Sequence, residues 1–144
     1  FNKSSMDTLL VLHSHNRNLF VLIAVVAIAK LVWNMLRKAE FGRSELLMLR
    51  IFSALMTLQF VIGLILLYRV GSAASWDMSA LRHHMEHAVT MILALGLSHM
   101  APMARKAEAS ARNTRALLYV TATLVLIIVG VAQLRGMSFW MGGA

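Results

Sequence analysis

Four stretches of the chain are apolar almost throughout, at about 9–36, 46–68, 84–103 and 116–134, and short polar connections separate them. Hydrocarbon about 30 Å thick takes roughly 20 helical residues at 1.5 Å each, and every stretch comes close to or exceeds that length. Backbone polar groups in lipid must be satisfied within the segment, so such runs predict helices. The expected architecture is all-α: an up-and-down four-helix transmembrane bundle, one domain over 1–144. Pro102, the only proline, predicts that the third helix ends or kinks there, because proline cannot continue the backbone ladder. Gly71 to Ser75 reads as a turn, and Ala104 to Arg115 as a basic loop or short surface helix.

Polar positions inside the apolar runs say which faces turn inward. At about 100° per residue, Arg17, Asn16, Phe20, Ala24 and Ala27 fall within about 60° of His13. His15 falls on the opposite stripe with Leu19, Leu22, Val26, Ala29 and Trp33. Bundled membrane helices turn small and polar residues toward each other, which directs His13 inward and His15 to the headgroup layer. On the third helix His83, His84, Met91, Ala94 and Ser98 accompany His87, while Val89, Ile92, Leu93 and Met100 suit lipid. His99 lies about 18 Å farther along that helix, so it belongs to the other end of the bundle. The second helix groups Gln59 with Phe52, Met56, Gly63 and Leu66. The fourth groups Tyr119, Ala122, Leu126 and Gln133, with Thr121 and Thr123 as further hydrogen-bonding residues.

Composition agrees with the membrane class: 59% of residues are hydrophobic, 14% are charged, and the mean hydropathy is +0.70. A net charge of +8 would suit nucleic acid, but the basic residues are distributed by connection. Arg37, Lys38, Arg43, Arg50, Arg105, Lys106, Arg112 and Arg115 flank two connections on one side; Lys3, Arg17, Arg69, Arg82 and Arg135 are spread over the other. The excess marks the first side as cytoplasmic and places both termini outside, with the charge serving topology and lipid headgroups. Trp33 at one interface and Trp76 and Trp140 at the other fit aromatic belts. The first run is too long for the apolar core of a signal peptide. With no cysteine, disulfides, thiolate metal sites and thiol nucleophiles are excluded. No Gly-rich phosphate loop or activated serine or lysine appears, so hydrolysis, phosphoryl transfer and nucleotide binding find no support.

The first and third helices run in the same direction, which brings His13 and His87 to similar depth near the outer leaflet. Two inward imidazoles on neighbouring helices are what a b-type haem requires, since the iron takes one nitrogen from each side of a flat ring. Arg17 and Arg82 are placed to meet the two haem carboxylates, Glu86 to orient the His87 imidazole, and Ala24, Ala27, Ala94 and Ser98 to leave room for the macrocycle. Gln59 needs a partner inside the bundle and is counted with the site. Three alternatives use the same residues. His13, His83, His84, Met85 and His87 suit copper or zinc by ligand type. Histidine, arginine and glutamine near an interface suit a quinone. A cofactor-free accessory subunit would use the polar cluster to bind a partner protein or lipid. HHMEH is not the metalloprotease motif, because Glu86 stands in the wrong place for its base. Most of the eleven methionines are scattered through apolar runs, where packing explains them.

HSHNR in the first helix, MTLQFVIGLILLY in the second and MEHAVTMILALGLSHM in the third resemble a group of small bacterial four-helix inner-membrane proteins labelled cytochrome-b-like. His13, Ser14, Arg17, Gln59, Gly63, Glu86, His87 and Met91 carry the resemblance over three of the four helices; Asn18 stands where that group has tryptophan. The resemblance implies a multi-pass protein of the bacterial inner membrane. Without a catalytic domain, the chain is expected to carry electrons inside a larger respiratory assembly with other membrane subunits, instead of acting as an enzyme alone.

Overall fold

The computed structural model describes residues 3–136. Among them the chain is all-helical: α1 (Lys3–Leu36), α2 (Arg43–Ala73), α3 (Met78–Met100) and α4 (Arg112–Arg135), with two 3₁₀ turns, Pro102–Lys106 and Ala109–Ala111, between α3 and α4. All four long helices have the length and apolar character to cross a membrane. The 34 residues of α1 extend about 50 Å, well past the hydrocarbon, and its first turns therefore reach beyond the apolar run that marks it in the sequence. Trp140, assigned to an aromatic belt, lies outside the described residues.

Inter-helix hydrogen bonds fix the register. Near one end, Arg69 donates to Ser5 Oγ at 3.1 Å, and Asn16 donates to Gln59 Oε1 at 2.8 Å; at the other, Lys30 and Asn34 meet Glu45 at 3.1 and 3.0 Å. α1 and α2 are therefore antiparallel. Ser53 donates to the Ser98 carbonyl at 2.6 Å, joining α2 to α3, and Thr90 donates to Gln133 at 3.0 Å, joining α3 to α4. α4 closes the ring by packing against α1. This is an up-and-down bundle with the described termini at one end. α1 and α3 are not neighbours, as the reading of two facing histidines supposed; each packs on α2 and α4, so they face one another across the diagonal.

Small residues and a few rings hold the helices close. Ala24 and Ala27 are fully buried, while Leu19, Leu22 and Val26 on the far face of α1 are about half exposed, the arrangement lipid requires. Phe20 and Phe52 stack at 4.7 Å in mid-bundle. On α4 the buried stripe is Ala116, Val120, Thr123, Ile127, Gly130 and Val131. Tyr119, Ala122, Leu126 and Gln133 flank it, half-buried, while Thr123, counted with them in the sequence, lies within it. The turn after α2 also comes later than its glycine suggests. Gly71 is helical and buried, and the reversal falls at Ala74 to Trp76, where Ser75 and Trp76 adopt positive φ. A Cβ at Gly71 would strike the Trp76 ring, coming within 2.7 Å of its Cε3, so the glycine is there for the indole. Asp77 caps α3, accepting from the Ser79 amide and hydroxyl, and those bonds hold its carboxyl below the usual range. Pro102 opens the first 3₁₀ turn directly after α3, ending the helix as expected.

Candidate functional site

The end of the bundle where α1 and α3 begin and α2 and α4 finish contains a cavity of about 480 Å³ that all four helices line, within the range of about 300–1,000 Å³ common for cofactor and ligand sites. Phe20, Met56, Met91 and Ile127 floor it, and the tightly packed core lies beyond. Ala24, Ala27, Ala94 and Ser98, expected to make room for a bound group, are fully buried in that core and do not line the cavity. Their smallness serves helix approach; the room lies nearer the bundle end, beside Gly63, Ala80 and Ala88.

His13 and His87 enter this one cavity from opposite corners. His87 Nδ1 is 2.7 Å from the Gly130 carbonyl, so it carries the proton and leaves Nε2 with a free lone pair. A Cβ at Gly130 would meet His87 Nδ1 at ordinary contact distance, 3.4 Å, and would displace the Met91 methyl. Glu86 was expected to orient His87 and does not. It accepts from Arg82 at 2.9 Å and meets His83 Nδ1 at 3.3 Å on the exposed side of α3. Arg82, expected beside the cavity, is absent from its lining, with a side chain 76% exposed and held by this i, i+4 pair.

His13 is held by its backbone. Gln59 Nε2 donates to its carbonyl at 3.0 Å while Gln59 Oε1 accepts from Asn16, so the buried amide is satisfied and ties α2 to α1 at the level of the imidazole. The ring lies against Gly63 of α2, with His13 Cε1 at van der Waals distance, 3.4 Å, from where a Cβ would stand. His13 Nδ1 is enclosed without a partner, leaving Nε2 as the nitrogen toward the cavity. An enclosed polar atom left unpaired costs about 1–3 kcal/mol, a cost tolerated chiefly where something else needs the group.

One feature lay outside the sequence reading of the site. Arg135, the last residue of α4, lines the cavity near Arg17, close enough for the two guanidinium charges to interact. Arg17 itself reaches Asn18 Oδ1 at 3.3 Å. His84 also lines the cavity, with a buried Nδ1 that has no partner. An i, i+3 relation to His87 was visible in the sequence; Arg135 was not, because nothing local to it points at α1.

The arrangement suits a largely apolar group with anionic edges, bracketed by two imidazoles and met at the mouth by Arg17 and Arg135. For haem the donor set fits on the His87 side, where the ring is oriented through its other nitrogen. On the His13 side the backbone is fixed but the ring lacks such a partner. A compact copper or zinc site fits less well: His83 and His84 line the cavity with His13 and His87, but no three histidine or carboxylate groups converge among the described residues, and His83 Nδ1 meets Glu86. His15 is exposed and bonds the Val11 carbonyl at 2.8 Å, and His99 meets Thr57 at 2.9 Å, away from the cavity. Comparison with family models, curated proteins and solved structures gives no match.

Proposed function

We propose that the chain is a b-type haem-binding integral membrane subunit for electron transfer, in the bacterial inner membrane with both termini on the outer side, working inside a larger redox complex. The observation that carries this reading is the presence of His13 and His87 on diagonal helices, lining one cavity, with His87 held through Nδ1 by the Gly130 carbonyl so that Nε2 is left as its ligating nitrogen. His13 and His87 would hold the haem iron. Arg17 and Arg135 replace Arg17 and Arg82 as the cations for the carboxylates. Gln59 fixes the height of His13, and the apolar floor excludes water. When bound, the group supplies one-electron transfer. Four candidate membrane spans around one cavity suit a carrier that passes the electron to a partner subunit.

The test is the absorption spectrum of the purified protein in reduced form, with iron measured by elemental analysis. A sharp α band, lost in His13→Ala and in His87→Ala but retained in His15→Ala, is the expected result. A colourless, iron-free wild type would favour the cofactor-free accessory subunit. A second reading rests on His84, whose ring lines the same cavity and would suit a quinone carbonyl. In that case a quinone analogue should bind the protein, and His84→Leu should abolish the binding.

A further inference from the structure

At the opposite end of the bundle a second cavity, of about 200 Å³, opens between the 3₁₀ turn that follows α3 and the beginning of α4. Lys106 reaches it from the turn and Arg115 and Tyr119 from α4, while Met100 and Met103 form its apolar flank. The lining contains two cations and a phenol and no carboxylate. Among the described residues, neither the Lys106 nor the Arg115 side chain has an ion pair or hydrogen bond, and the Tyr119 hydroxyl has no partner. Two like charges around one small cavity repel each other, and an anion between them relieves this.

The surroundings narrow the class of anion. Met100 and Met103 are 41% and 53% exposed, and they continue the exposed apolar stripe of α3 through Leu93 and Ile92. The cavity thus sits at the end of a lipid-facing surface, where a phosphate group and an acyl chain can be met together. Basic pockets between transmembrane helices near the charged interface take anionic lipid heads in this way. With no carboxylate in the lining, a cationic head such as choline finds no counter-charge there. We infer that this cleft binds one anionic phospholipid, its phosphate between Lys106 and Arg115 with Tyr119 donating to it, and its acyl chain along Met103 and Met100. The inference is independent of the haem reading.

Full-length protein equilibrated in vesicles of equal phosphatidylglycerol and phosphatidylcholine, then released into detergent and weighed intact by native mass spectrometry, tests it. One phosphatidylglycerol should remain bound per chain. Lys106→Gln with Arg115→Gln should lower that retention at least about tenfold, as loss of charge-assisted bonds to one phosphate implies. Tyr119→Phe, which removes a single oxygen and leaves a folded chain even if the double variant fails, should lower it about fivefold. Arg43→Gln with Arg50→Gln, the same charge removed elsewhere on that side, should leave it unchanged. Equal retention of phosphatidylcholine, equal loss in both charge-removing pairs, unchanged retention in the cleft variants, or displacement of the lipid by millimolar inorganic phosphate would each overturn the inference.

Discussion

Gly130 faces both Met91 and His87. A Cβ there would displace the Met91 methyl while meeting His87 Nδ1 at ordinary contact distance, and the Gly130 carbonyl accepts the bond that sets the imidazole tautomer. Gly130→Val should cost about 1–3 kcal/mol by overpacking, read from denaturant unfolding in detergent, and should lower the α band out of proportion to the loss of folded protein. Gln59→Leu tests the other imidazole. Asn16 keeps its bond to the Leu55 carbonyl, so stability should fall only by about 1 kcal/mol, while His13 loses the donor that fixes its backbone. His13 and His87 were legible in the sequence because a polar side chain in an apolar helix has one sensible direction. Gly130 was not, since its role depends on which atoms of α3 arrive opposite it.

Helix α2 shows how a single buried carboxylate can pin two elements. Glu45 accepts from Lys30 and Asn34 of α1 and from the Gly42 amide and Ser44 hydroxyl at its own helix start. Four donors around one carboxylate that is almost wholly buried leave Glu45→Ala with several groups unpaired, and it should destabilise the bundle by about 2–3 kcal/mol in unfolding measurements. Lys30→Ala should cost less than about 1 kcal/mol, because the lysine side chain is 39% exposed and screened. If the two variants cost the same, the lysine charge rather than the hydrogen-bonded carboxylate would be the main contributor. Helix existence and inward faces were readable for α1, α2 and α3, where small and polar residues coincide on one stripe. On α4 the stripe through Tyr119, Leu126 and Gln133 lies beside the buried one, which runs through Ala116, Thr123, Ile127 and Gly130. Glu86 and Arg82 misled because i, i+4 partners on an exposed face satisfy each other before either reaches the interior.

For the molecule as a whole, an even number of antiparallel helices brings both described ends to the cavity, and closure of α4 onto α1 puts α1 and α3 on a diagonal. That diagonal lets two imidazoles enter one space from opposite corners with α2 and α4 as walls, a relation that spacing along the chain does not reveal. It also brings Arg135, at the end of the last helix, to the same mouth as Arg17 near the start of the first. The most direct measurement of the central claim is electron paramagnetic resonance of the oxidised protein with chemical rescue. The wild type should give the low-spin ferric signal of two imidazole ligands; His13→Gly and His87→Gly should each convert it to high spin, and free imidazole diffusing into the enlarged cavity should restore it. An unchanged low-spin signal in either variant, or no ferric signal in a folded wild type, would contradict axial ligation by His13 and His87.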